Sequence, residues 1–481
     1  MNIKMVLRTV GRISQIVALL MLFPIVVAII YSEKRSLVAF LTTAAISFVV
    51  GMILLLIFRT RNRVIYAREG FAITALAWIV MAALGALPFT LSNEIPSYVN
   101  AFFETVSGFT TTGASILTDV ESMSNSMLFW RSFTHWIGGM GVLVFVMAII
   151  PNITDRSIHI MRAEMPGPII GKLVPRVKDT AKILYLIYVV LTLLEIIVLS
   201  LGDMNLFESI VHSFGTAGTG GFGIKSDGLA SYSSYSQWVI TIFMLIFGIN
   251  FNLFYLLLIR RFKSVFKSGE LWSYIAIFAV GTVAITANVM PLYTNFSEAF
   301  RNAAFQVSSI VTTTGYATVD FNLWPQFSKG LLFIIMFSGA CAGSTAGGLK
   351  VARSVMLVKN IGREIKKMLH PRSVGTVRFE GKAVDEQTLS GVNTYFTLYI
   401  LCIFAVFLLI CFEPFGFETN FTATVSCFNN VGPGLGGVGP ASSYAAYSDF
   451  SKIILSVAML LGRLEIFPLL IAFSPSVWLK K

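Results

Sequence analysis

Along this chain, long apolar runs alternate with short polar loops in an order that repeats. Runs of about 20 residues are long enough to cross a ~30 Å hydrocarbon layer as helices. They fall at about 13–31, 36–58, 70–92, 126–150, 182–201, 235–259, 272–290, from 329, at 391–412 and at 450–474. The runs show little period-two alternation, which favours helices over a barrel. From residue 70 onward a second pattern is superposed. Segments 98–110, 205–217, 296–310 and 418–428 are apolar but too short to span, and each ends in a small polar loop. Those loops read Thr111-Thr112-Gly113, Thr219-Gly220-Gly221, Thr313-Thr314-Gly315 and Asn430-Val431-Gly432. Their last glycines are separated by 108, 94 and 117 residues, a spacing that implies a repeated unit. The unit is helix, half-helix, loop, helix. The expected boundaries are 1–69 for an added helix pair and basic loop, then 70–181, 182–271, 272–389 and 390–481 for four repeats.

Composition agrees with a membrane protein: 56% of the 481 residues are hydrophobic and 12% charged, against about 25% charged in soluble domains. The formal net charge of +12 is unevenly placed. Segments 59–69, 151–182, 260–271 and 353–389 hold 22 Lys and Arg. Segments 93–130, 202–237, 291–328 and 413–449 hold two, against 12 Asp and Glu. The positive-inside rule then puts the first set, with the N-terminus, in the cytoplasm and the four loops outside. All four repeats share one orientation, which suits a pseudo-fourfold ring about one pore better than inverted repeats do. The first apolar run lacks a small-residue cleavage site and is read as a retained helix.

The loops are the candidate ion site. A Thr-Thr-Gly-Tyr stretch such as 313–316 presents successive backbone carbonyls, the chemistry that replaces the hydration shell of K⁺. The fourth loop departs most, with Val431, Pro433 and a nearby Gly434 that offers a second register. Glu104, Glu208, Glu298 and Glu418 belong to the half-helices, as caps, entrance charges or direct ion ligands. A second candidate lies beneath the third loop. Residues 338–348 contain Gly339, Gly343, Gly347 and Gly348, a poor helix interior at about 1 kcal/mol per glycine. An unwound loop that gates the pore is expected there, followed by Lys350 at the inner mouth or snorkelling away from it. Arg463, in Gly462-Arg463-Leu464-Glu465, is expected to oppose that loop or to pair with Glu465. Cys341, Cys402, Cys411 and Cys427 are read as buried thiols. Four scattered histidines give no metal or nucleophile constellation, so no enzyme is expected.

Taken together, the four loops, Trp130-Arg131-Ser132 leading to Trp136-Ile137-Gly138-Gly139-Met140-Gly141, the loop Ala342 to Gly348 and Gly462 to Glu465 resemble the Trk/Ktr/HKT superfamily of K⁺ transport proteins. The extra N-terminal helix pair resembles its TrkH-type subunits. The resemblance implies K⁺ and Rb⁺ as permeating ions, with Gly113 favouring K⁺. It also implies a homodimer in the prokaryotic cytoplasmic membrane and a TrkA-like cytoplasmic ring. ATP, ADP or NAD would bind that partner, because no Walker or dinucleotide fingerprint occurs in this chain. Membrane lipid is an expected contact; nucleic acid and a covalent cofactor are not. A secondary symporter coupling K⁺ to Na⁺ or H⁺ remains the alternative to a channel-like pore.

Overall fold

The computed structural model describes residues 1–60, 66–141, 177–373 and 375–478. Most of the basic loop expected at 151–182 and the far end of the run at 126–150 lie outside them. Among the described residues, six helices are long and apolar enough to cross a membrane, or up to eight if each bent pair counts as one span.

The first apolar run is two pieces, Ile3–Leu20 and Leu22–Ile30, joined at Met21. Pro24 explains the joint: it has no N–H to give, and its ring crowds the carbonyl four residues back, at Leu20. Lys34–Ile57 then packs antiparallel on Ile3–Leu20. A β-carbon on Gly51 would lie 2.6 Å from the Gly11 carbonyl oxygen, so small residues set this close approach.

The same plan then recurs four times. Long helices Ala67–Leu91, Val177–Ser200, Gly269–Val289 and Glu386–Ile410 are each followed by a short one: Tyr98–Phe109, Leu206–Gly218, Phe296–Val311 and Phe417–Asn429. The longest of the short helices has 16 residues, about 24 Å at 1.5 Å per residue. A second long segment closes each unit, beginning with Asn125–Gly139, Ser234–Phe247, Gln326–Ser338 and Asp449–Arg463.

A shared clamp joins the two long helices of a unit. The carboxylates of Glu94, Asp203 and Glu413 accept from the backbone N–H and hydroxyl of Ser124, Ser233 and Ser448, the residues preceding the closing helices. In the third unit an amide replaces the acid, and Ser328 donates to Asn288 Oδ1 at 2.7 Å. At Asp203 burial pushes the carboxyl up, but bonds from Ser233 and Ser236 outweigh it and bring it from 3.8 down to about 2. This clamp therefore contributes fully above the ordinary carboxylate range and is lost as pH falls through about 2. The Asp203→Asn variant should unfold in detergent at a temperature less sensitive to acid than the parent does.

The closing helices correct the expectation of unbroken runs at 235–259 and 450–474. Ser234–Phe247 and Phe251–Leu258 meet at 89°, and Asp449–Arg463 and Phe467–Phe473 at 119°. At the first break, Asn250 caps the new helix by accepting from Asn252 N–H at 3.0 Å. At the second, Glu465 and Ile466 adopt φ of 56° and 64°, and Pro468 stands in the first turn of Phe467–Phe473, where its missing N–H costs nothing. Asn125–Gly139 stops before Gly141, whose φ is 71°. The third segment gives way to an irregular stretch at 339–350 before Val351–Leu369. The reading of four buried thiols also needs correction. Cys341 and Cys427 are buried, but Cys402 is half-buried on an outward helix face and Cys411 is exposed just past that helix.

Candidate ion site and the loop beneath it

All four glycine loops share one backbone solution. Each short helix ends in a left-handed residue: Thr111, Thr219, Thr313 and Asn430, with φ between 56° and 57°. That residue's N–H reaches the carbonyl three back, and the next N–H reaches five back. The second bond is Thr112 to Ser107 at 2.9 Å, Gly220 to Gly215 at 2.8 Å, Thr314 to Ser309 at 2.8 Å and Val431 to Ser426 at 3.0 Å. This is the Schellman ending, which usually places Gly at the left-handed position. Thr there is an outlier costing on the order of 1–3 kcal/mol. Gly113, Gly221, Gly315 and Gly432 follow with φ of 79°, 74°, 81° and 99°. The fourth loop thus takes the register of Asn430 and Gly432, not that of Gly434.

The loops meet in a closed cycle. A β-carbon on Gly113 would run into the Gly220 carbonyl oxygen, one on Gly221 into that of Thr314, and one on Gly315 into that of Val431. One on Gly432 would lie 2.6 Å from that of Thr112. The first loop touches the second, the second the third, the third the fourth and the fourth the first. At each junction a carbonyl oxygen lies against a glycine, and no side chain larger than hydrogen fits there. On one side lies a cavity of about 390 Å³ lined by all four glycines, Arg131 and Tyr444. A cavity of about 40 Å³ is lined by Gly343, Gly347, Gly348, Lys350, Gly462 and Arg463.

Buried side chains fasten the loops. Glu104 and Arg131 form an ion pair at 2.8 Å, fully enclosed. Glu104 also accepts from Ile116 N–H, while Arg131 donates to the Gly223 carbonyl and stacks 4.0 Å over Phe222. The pair ties the first loop to the second, so Glu104 is neither cap nor entrance charge. Glu208, Glu298 and Glu418 do occupy first turns. His135, unremarked in the sequence, sets Nδ1 against the Gly108 carbonyl at 2.8 Å and Nε2 against Phe222 N–H at 3.3 Å. One neutral tautomer satisfies both. Removing half of a buried pair leaves the other charge uncompensated, at about 3–5 kcal/mol. The Glu104→Ala variant should accordingly melt well below the parent in detergent, and an unchanged midpoint would contradict this role.

The irregular stretch 339–350 lies directly against the loops. Gly347 N–H donates to Thr313 Oγ1 at 2.7 Å, and a β-carbon on Gly347 would lie 2.5 Å from the Asn429 carbonyl oxygen. Gly339, Gly343, Gly348 and Lys350 all have positive φ. The stretch is stitched to the break in the second unit, Phe251 N–H to Gly343 O at 3.0 Å and Cys341 N–H to Gly248 O at 3.1 Å. Glu270, also unmarked in the sequence, accepts from Ala342 N–H at 2.6 Å. Arg463 faces the stretch. It donates to Thr345 O at 2.6 Å and to the Gly138 and Gly139 carbonyls, at the end of Asn125–Gly139, at 2.5 and 2.8 Å. The expected pairing of Arg463 with Glu465 is not what is observed, because Glu465 is held by Arg353 at 2.6 Å. Lys350 does not snorkel either: it is 2% exposed and folds back onto the Ala346 carbonyl.

A family model described as "TrkH: Cation transport protein" matches residues 36–480. The chain belongs to the TrkH family. The Trk system potassium uptake protein TrkH of Escherichia coli K12 is 37% identical over 486 residues, covering 99% of this chain and all of that one. TrkI of Halomonas elongata, also a Trk system potassium uptake protein, is 28% identical over 98% of this chain and 96% of its own. The crystal structure of the potassium transporter TrkH from Vibrio parahaemolyticus superposes with a TM-score of 0.89 at 33% identity, each chain covered in full. This TrkH-family chain is therefore a mostly helical, multi-pass membrane transport protein.

Proposed function

We propose that this protein carries K⁺ into the cell through a channel-like pore whose filter is the cycle of four glycine loops. The observation that carries this reading is the cycle of contacts in which the Thr112, Gly220, Thr314 and Val431 carbonyl oxygens each lie against the glycine of a neighbouring loop. Partial negative charge at the C-terminal ends of the four short helices favours a cation at the same place. The glycines leave room for an ion stripped of water, and the carbonyls stand in for its hydration shell. Rb⁺, close to K⁺ in size, would follow it, and Gly113 in the first loop goes with K⁺ over Na⁺. The larger cavity is the outer vestibule and the N-terminus is cytoplasmic. A membrane potential of about 100 mV, inside negative, supplies about 2.3 kcal/mol per charge, enough for uptake without hydrolysis by this chain.

Within this reading, residues 339–350 are the gate and Arg463 its latch, held shut by three carbonyl contacts. Opening belongs to a cytoplasmic TrkA-like ring that binds ATP, ADP or NAD and pulls on Val351–Leu369. The functional particle is a homodimer with one pore per subunit. The test is ion flux in proteoliposomes holding this chain alone, with voltage clamped and K⁺, Rb⁺ and Na⁺ compared. Passive flux preferring K⁺ and Rb⁺ is expected, at a low level that the partner raises. Uptake that tracks a Na⁺ or H⁺ gradient at fixed voltage would replace the channel with a symporter.

A further inference from the structure

The apolar helix Val177–Ser200 buries a carboxyl group that plays no part in the mechanism above. Glu195 is fully enclosed, and neither of its carboxyl oxygens has a hydrogen-bond partner. An ionised carboxylate in that setting is far too costly to leave uncompensated, and ionisable groups at membrane depth mark proton or ion routes. Thr216 Oγ1, on the short helix of the same unit, is the hydroxyl turned toward this carboxyl, with no hydrogen bond between them. That hydroxyl has one proton and gives it to the His212 carbonyl at 2.9 Å. Toward Glu195, Thr216 has only lone pairs to offer. A carboxyl carrying its own proton can donate to them; a carboxylate cannot.

The surroundings make this more than a packing feature. Glu208, His212 and Thr216 follow at four-residue intervals on one face of Leu206–Gly218. Glu208 is half-buried at the helix start and accepts from Tyr232 OH at 3.2 Å, and His212 Nε2 lies 3.3 Å from the same phenol. His212 Nδ1, buried, has no partner. A file of exchangeable protons thus runs inward from Glu208 through Tyr232 to His212, one turn from Thr216. The His212 carbonyl also accepts from Tyr316 OH, which reaches the carbonyl of Phe222 as well, at 3.2 and 3.3 Å. Tyr316 follows Gly315, and Phe222 follows Gly221.

We propose that Glu195 is a proton-binding site, loaded from the outer face, whose occupancy sets the geometry of the second and third glycine loops. When the proton leaves, the Thr216 hydroxyl turns from His212 to the carboxylate. The His212 carbonyl then holds Tyr316 alone, and the Tyr316 to Phe222 link across the two loops shifts. The other titratable side chains that act on the site are Tyr188 on its own helix and Tyr316 after the third loop. The nearest cations stand farther off. Lys225 lies over the Tyr232 ring, Arg131 over Phe222, and Arg463 on the fourth unit.

The proposal rests on the pore reading, and its test separates the two. Rb⁺ flux through the full chain in voltage-clamped proteoliposomes would be followed while outer pH is varied from acid to alkaline. The parent should change flux several-fold across this range. The Glu195→Gln variant, a permanent donor of the same shape, should stay at the acid-side level with K⁺ preference intact. The Thr216→Val variant should also lose the response. Infrared difference spectra should show a protonated-carboxyl stretch in the parent, shifted in D₂O and missing from Glu195→Gln. A Glu195→Gln profile that follows the parent's, a parent without pH response, a response to outer Na⁺ instead of pH, or no such band would each overturn the site. Absence of K⁺-selective flux at every pH, with the band present, would instead overturn the pore reading.

Discussion

The Gly113→Ser variant should lose most of its discrimination between K⁺ and Na⁺ while still passing both. Gly113 holds φ at 79°, where a side chain costs about 1–2 kcal/mol, and any β-carbon there strikes the Gly220 carbonyl oxygen. That oxygen must swing away, so one of the four carbonyls of the cycle leaves its place. Since about 1.4 kcal/mol corresponds to tenfold, losing part of one oxygen's preference lowers the K⁺ to Na⁺ permeability ratio by about an order of magnitude. Bi-ionic potentials measured across planar bilayers would read this directly. The matched control is Gly223→Ser, whose β-carbon would meet nothing nearer than 3.7 Å and which needs no left-handed backbone. An unchanged ratio in Gly113→Ser, or an equal fall in the control, would remove the glycine ring from the filter role.

The second large effect is expected at Arg463. Its guanidinium joins the fourth unit to the first at Gly138 and Gly139 and to the irregular stretch at Thr345. Hydrogen bonds made by a charged group contribute about 1.5–3 kcal/mol each. Replacing Arg463 by Ala removes all three and the positive charge beneath the loops. Resting flux without any partner should rise by about tenfold or more, with the K⁺ to Na⁺ ratio unaltered because the glycine loops are untouched. Shortening residues 339–348 should act the same way. If both variants remain as closed as the parent, the barrier lies elsewhere.

What could be read from the sequence depended on whether a residue's partner was near it in the chain. The glycine loops were legible because each is a local event: an apolar half-helix, then residues that only a turn can use. The unwound stretch was legible because four glycines in eleven residues outweigh any helix. The breaks at Gly248 to Asn250 and at Leu464 to Ile466 left signals, Asn250 as a cap and Pro468 in a first turn, that hydropathy averaged over a window conceals. Nothing local tells the roles of His135, Glu104 or Glu270. Their roles come from Phe222, Arg131 and Ala342, which lie 87, 27 and 72 residues away. Arg463 and Glu465 looked like a pair because they are neighbours in sequence. The broken helix sends one to carbonyls of the first unit and the other to Arg353.

A ring assembled from four separate chains carries every substitution four times over. Here the quarters are encoded apart, and they have already diverged: an amide in one clamp, a long irregular stretch in one closing segment, a buried acid without a partner beside one loop. Each quarter is therefore separately addressable. Gly113, Gly221, Gly315 and Gly432 can be altered one at a time, and how far the four results differ would measure how unequally a single ion leans on the parts of the ring.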